Sequence, residues 1–146
     1  MLVKISKGVW FFSLLGTLGI FLYVYASLPE MVSFDGGGAG FAVSRNGLFY
    51  ATLGLLAILN AVVFIVAKVF AGGSQYFIAW VYGLVTFFNL FFVVALELVG
   101  VSNSQERFDY QRIGYIIYIS IALVVIWSAI WPLYRLSQRF SDKQAL

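Results

Sequence analysis

Asn60, Asn89 and Glu97 sit inside long apolar runs, and their chemistry is out of keeping with their surroundings. Glu97 is the one carboxylate in such a run. Burial drives a carboxyl toward its neutral form, whereas a nearby cation holds it ionised. Asn89 precedes Glu97 by eight residues, about 800° of helical rotation, which brings the two within about 80° of one face. Three roles follow for Glu97: an ion pair with Arg45 closing the top of a helix bundle, a proton-coupling acid, or simple exposure among lipid headgroups. The pair with Arg45 is the expected one, because a short turn between the second and third runs makes their far ends neighbours. For the asparagines the expectation is hydrogen bonding to neighbouring helices. Asn60 lies eight residues before Lys68 and Asn89 thirteen after Tyr76. At about 1.5 Å per residue their depths differ by roughly 7–8 Å, which predicts coupling through another side chain or water rather than an assured direct pair.

Other chemistry is excluded by composition. The chain has no cysteine and no histidine. Disulfides, thiolate or imidazole metal sites and Ser-His-Asp or Cys-His catalysis are therefore closed to it. No catalytic, cofactor-binding or metal-ligating set can be named, and the expectation is a protein that is not an enzyme and carries no cofactor. In SNSQERFDYQR, Glu106 and Asp109 share a helical spacing, but Arg107 and Arg112 neutralise them locally. The stretch SFDGGGAGFAVSRNG lacks the Gly-Lys-Ser/Thr ending of a phosphate-binding loop. Its flanks, MVSFD and FAVSR, are short β-favouring runs around a glycine-rich turn, the pattern of a hairpin. A lone hairpin is marginal in water, so it must rest on helix ends or on another protein. The net charge of +3 comes from scattered basic residues, so no nucleic-acid partner is expected.

The elements that must position these residues follow from the same composition. Of 146 residues, 62% are hydrophobic and 10% charged, too apolar for one soluble core and suited to lipid. Four runs, about 8–28, 48–70, 76–99 and 113–134, are each near the roughly 20 residues a helix needs to cross a bilayer. They lack the alternation of barrel strands. The fold class is all-α: one integral membrane four-helix bundle, with an outer loop at 29–47 forming a β-hairpin and a polar tail at 136–146. Lys4 and Lys7 ahead of the first run, then Val24, Tyr25 and Ala26, resemble a signal peptide, but the length of the run favours an uncleaved span. Pro132 is expected to kink or loosen the last turn of the fourth span.

Lys4, Lys7, Lys68, Arg135, Arg139 and Lys143 fall on one side of these spans, Arg45, Arg107 and Arg112 on the other, which predicts cytoplasmic termini. Aromatic residues near span ends, among them Trp10, Tyr23, Tyr25, Tyr50, Tyr76, Trp80, Tyr115, Trp131 and Tyr134, fit interfacial belts. Gly47, Ala51, Gly54, Ala57 and Ala61 line one stripe of the second span and permit close helix packing, with Ser13, Gly16 and Gly19 of the first span as a counterpart. Such a stripe serves equally an intramolecular bundle or a partner surface. Expected partners are membrane lipids and a membrane protein or a second copy of the chain.

The strings YASLPEMVSFD, GFAVSRNGLFYATL and FFNLFF carry a resemblance. Through Leu28, Pro29, Glu30, Arg45, Phe49, Tyr50, Asn60, Asn89, Phe91 and Phe92 the chain resembles a group of small, uncharacterised four-span bacterial membrane proteins. Its first two spans are loosely similar to the N-terminal domain of unknown function of SdpI-type immunity proteins, without the His and Asn that domain usually carries after its proline. The resemblance implies a bacterial inner membrane and an accessory or signalling role, and it transfers no catalytic residue. The functional expectation is an accessory or scaffolding subunit of a larger assembly. The alternative is a small proton-coupled transporter or immunity-type protein using Glu97 with Asn60 and Asn89.

Overall fold

A computed structural model describes residues 1–34, 41–70, 72–104 and 110–144, with side chains at 110–113, 139 and 141–144 left undescribed. Helix α1 spans Leu2–Ser27, strands β1 and β2 span Met31–Ser33 and Ala42–Ser44, and helices α2, α3 and α4 span Arg45–Val69, Gln75–Ser102 and Tyr110–Gln144. All four helices are long and apolar enough to cross a membrane. The protein is a multi-pass membrane protein, all-α apart from one short antiparallel sheet.

Helix ends follow local chemistry. Pro29 pushes the residue before it out of the helical region, and Leu28 caps α1 with extended backbone (φ −74°, ψ 142°). At the start of α2 the Ser44 hydroxyl accepts the Gly47 N–H at 3.1 Å, satisfying one otherwise orphaned donor. Lys68 lies in the last turn of α2, where a cation complements the helix dipole. Pro132 does not end α4: the helix runs on to Gln144, so the tail expected to be a polar end from residue 136 continues the fourth span as helix. Proline removes one backbone bond and crowds one carbonyl. That local loss is not enough to break the helix here.

Helix α3 is the hub. It packs on α1, α2, α4 and β1, whereas α4 packs on α3 alone. Trp10, Thr17, Phe21, Val24 and Leu28 are buried along α1, and Ile78, Tyr82, Val85, Asn89 and Leu96 along α3. These steps of three, four and seven are the spacing of a left-handed helix pair. The two helices run in the same direction: Trp10 meets the Tyr82 ring at 5.6 Å, Thr17 reaches the Asn89 carbonyl, and Val24 lies against Gly100. Helix α2 returns beside this seam, antiparallel to α3 as the short connection requires.

The hairpin pairs Met31 with Ser44, Val32 with Val43 and Ser33 with Ala42. It rests on helix ends, as its size demanded. Val32 is 0% exposed and packs into a cluster with Phe21, Val24, Leu28 and Leu96. Just beyond the last residue of α3, the Asn103 amide bridges β1 in the way a third strand would: Ser33 N–H donates to Asn103 Oδ1 at 2.8 Å, and Asn103 Nδ2 donates to the Ser33 carbonyl at 2.9 Å. The GGGAG turn lies outside the described residues.

Helix α4 is fastened to α3 by tryptophans. Trp80 Nε1 donates to the Trp127 carbonyl at 2.8 Å, and Trp127 Nε1 donates to the Trp80 carbonyl at 3.0 Å. The contact requires Gly83, since a Cβ there would lie 2.5 Å from the Trp127 ring. Gly83→Ala should therefore force the indole off α3 and cost about 1–3 kcal/mol, as overpacking does. Thermal unfolding in detergent checks this: a lowered midpoint is expected for Gly83→Ala and none for Gly16→Ala, whose added Cβ meets nothing within 4 Å.

Candidate functional site

Asn60 and Asn89 face each other at the meeting of α1, α2 and α3. Asn60 Nδ2 donates to Asn89 Oδ1 at 3.0 Å and Asn89 Nδ2 donates to Asn60 Oδ1 at 3.1 Å, a closed amide pair. The direct pair corrects the depth estimate. Side chains of a helix lean toward its N-terminus. In antiparallel α2 and α3 those leans are opposed, so the deeper and shallower side chains converge.

The remaining amide valences are also used. Asn60 Nδ2 donates to the Leu56 carbonyl at 2.9 Å, and Trp10 Nε1 donates to Asn60 Oδ1 at 2.8 Å. Asn89 Nδ2 donates to Ser13 Oγ at 3.1 Å, while Ser13 Oγ donates to the Trp10 carbonyl at 2.7 Å. Thr17 Oγ1 lies 2.8 Å from the Ser13 carbonyl and 3.2 Å from the Asn89 carbonyl, its proton shared between helices. Asn89 and Thr17 are each 0% exposed. Every amide N–H of the two asparagines is thus spent inside the protein. Such a network fixes helix register and leaves no donor facing a passing solute.

Trp10 is corrected from an interfacial anchor to a buried network member, 3% exposed. Its place near the end of an apolar run carries no sign of Asn60 as its partner. Ser13 is corrected likewise from a small packing residue to a hydrogen-bond relay. Thr17 and Asn103 carried no signal that separated them from ordinary helix and loop residues. Tyr23, Tyr50, Tyr76 and Tyr115 are exposed near helix ends, where belt residues belong.

Glu97 and Arg45 are not brought together. Arg45 Nη1 donates to the Leu28 carbonyl at 3.2 Å, its guanidinium sits 5.5 Å from the Tyr25 ring, and among the described residues it forms no ion pair with Glu97. Arg45 instead ties the end of α1 to the start of α2, with its N–H donating to the Glu30 carbonyl at 2.8 Å. Glu97 is partly exposed. On α3 it continues the stripe Ala79, Gly83, Thr86 and Leu90, at steps of three, four and seven, rather than the Tyr82–Asn89–Leu96 face.

Gly47, Ala51, Ala57 and Ala61 are exposed and Gly54 is partly exposed. A Cβ at Gly54 would meet nothing within 4 Å. The buried residues of α2, Thr52, Leu56, Asn60 and Val63, occupy the opposite side of the helix. The stripe therefore packs no helix of this chain, and Gly16 and Gly19 of α1 have equally open surroundings. Glu106 and Asp109 lie outside the described residues, as does the side chain of Arg112. Among the described residues no three His, Cys, Asp or Glu side chains gather as metal ligands.

No protein-family model, curated protein or solved structure matches the chain.

A double-mutant cycle tests the amide pair. Asn60→Leu or Asn89→Leu alone strands a buried partner and should cost about 1–3 kcal/mol. The double variant should cost less than the two singles combined, because no amide is left unpaired. Strictly additive unfolding free energies in detergent would show that the two amides do not interact.

Proposed function

We propose that the protein is a non-enzymatic accessory or scaffolding subunit of a larger bacterial inner-membrane assembly, with both termini in the cytoplasm. One observation carries the reading: the small-residue stripe of α2 points away from everything its own chain buries. Close backbone approach is what such stripes provide in membranes, where association is driven by packing rather than by a hydrophobic effect. A stripe that no helix of the chain uses is available to a helix of another. The resemblance to four-span bacterial membrane proteins and the distribution of Lys and Arg support the membrane and the orientation.

The transporter reading has less support. It needs Glu97 to face the bundle interior and the asparagines to offer polar groups to a path. Asn60 and Asn89 donate to each other and to their neighbours, and Glu97 lies on a different face of α3.

Pull-down in mild detergent followed by mass spectrometry tests the proposal. A membrane-protein partner or a second copy should be recovered, and Gly54→Leu with Ala57→Leu should reduce recovery about tenfold, as loss of 1–2 kcal/mol of helix packing would. Recovery of a lone monomer at native expression would sink it. Orientation is tested separately, since the chain has no cysteine of its own. An impermeant maleimide should label Ala42→Cys in intact spheroplasts and Gly72→Cys only after the membrane is opened.

A further inference from the structure

Helices α1 and α4 both lie on α3 yet do not touch each other, which leaves a groove between them. Its floor is made of small residues, Ala79 and Gly83, and its walls of Ser6 and Val9 on one side and Trp127 and Ile130 on the other. Two cavities of about 270 and 250 Å³ follow one another along it and share Ser6, Ala79 and Trp127, so they form one channel. At the end that carries both termini the channel adjoins a more polar cavity of about 470 Å³, with which it shares Leu2 and Tyr76. Arg135 stands beside this end, its guanidinium 5.7 Å from the ring of Trp131, another wall residue.

We propose that this groove is a binding site for an anionic phospholipid, one acyl chain lying along α3 and the headgroup beside Arg135. Three observations select that occupant. The walls and floor are apolar within a membrane-spanning part of the chain, and an empty groove there would forfeit dispersion contacts that hydrocarbon supplies. The channel is narrow: a helix about 10–12 Å across would require α1 and α4 to separate, and an unbranched acyl chain does not. The charge is one-sided. Lys4, Lys7, Lys68 and Arg135 lie at the headgroup end, whereas the described carboxylates, Glu30 and Glu97, belong to the opposite end. Basic clefts between membrane helices select anionic headgroups on this principle.

The test uses the full chain in phosphatidylcholine vesicles with a small fraction of brominated phosphatidylglycerol or brominated phosphatidylcholine, read by tryptophan fluorescence. Trp80, Trp127 and Trp131 all border the groove, so a bound brominated chain quenches them. The anionic lipid should quench at a mole fraction about fivefold lower than the zwitterionic one, and Arg135→Gln should remove most of that preference. Ser6→Phe, which fills the groove from α1, should abolish the preference with helix content unchanged. Ile130→Phe makes the same test from α4 should the first variant not fold. Equal quenching by the two lipids would mean ordinary annular contact and overturn the proposal. Persistence of the preference in a folded groove-filled variant would overturn it as well.

Discussion

An amide in hydrocarbon must find its partners within protein, because no water is present to supply them. Asn60 and Asn89 meet that demand by pairing with each other, and the rest of the inner half of the molecule is arranged around the pair. Trp10 and Ser13 bring α1 into the same network. Apolar helices slide past one another at little cost in lipid, since each register buries similar side chains in a similar medium. The reciprocal amide bonds, by contrast, exist at one register only. Their contribution of perhaps 0.6–2 kcal/mol is modest as stability, and as a choice among registers it is decisive.

With register set, α3 can serve different neighbours with different surfaces. The Tyr82–Asn89–Leu96 side takes α1 and α2, Gly83 admits the indole of Trp127 from α4, and Asn103 holds the hairpin at the far end. Each contact joins a polar bond to an apolar one. Val32 is buried while Asn103 pairs the Ser33 backbone; Trp127 packs on Gly83 while its N–H bonds the Trp80 carbonyl. Packing alone would be weakly directional between helices so rich in Phe, Leu, Ile and Val. The hydrogen bonds give it direction.

Much of this was legible in the sequence, and the parts that were not share a physical origin. Four long apolar runs specify four helices because backbone groups in lipid permit little else, and short β-favouring runs on either side of the glycines specify the hairpin. Asn60 and Asn89 stand out because polarity in such runs is costly. Their direct contact was hidden, since residues counted along an axis ignore the lean of side chains toward each helix's N-terminus. The role of Trp10 was hidden for another reason: an indole near a lysine-bearing end matches an interfacial anchor as well as it matches a buried donor. The α1–α3 seam left little trace because residues on every face are apolar, so the face that packs is not marked by composition. Arg45 and Glu97 were paired on charge and level alone; their rotation about the helices places them apart.

That uniform apolarity also explains how the chain divides its surfaces. A membrane helix can face lipid or protein with the same residues, so composition does not mark which it does. What distinguishes the surfaces here is size and polarity. Inside the chain, helices are joined by aromatic rings and amides, with Gly83 the one small residue that a neighbouring ring needs. The small residues of α2 are kept on the side opposite Leu56, Asn60 and Val63, where no internal contact uses them. The bundle is thus held by interactions that do not compete for the stripe. A partner helix could occupy that stripe without displacing Asn60 from Asn89, so association would leave the register of the bundle intact.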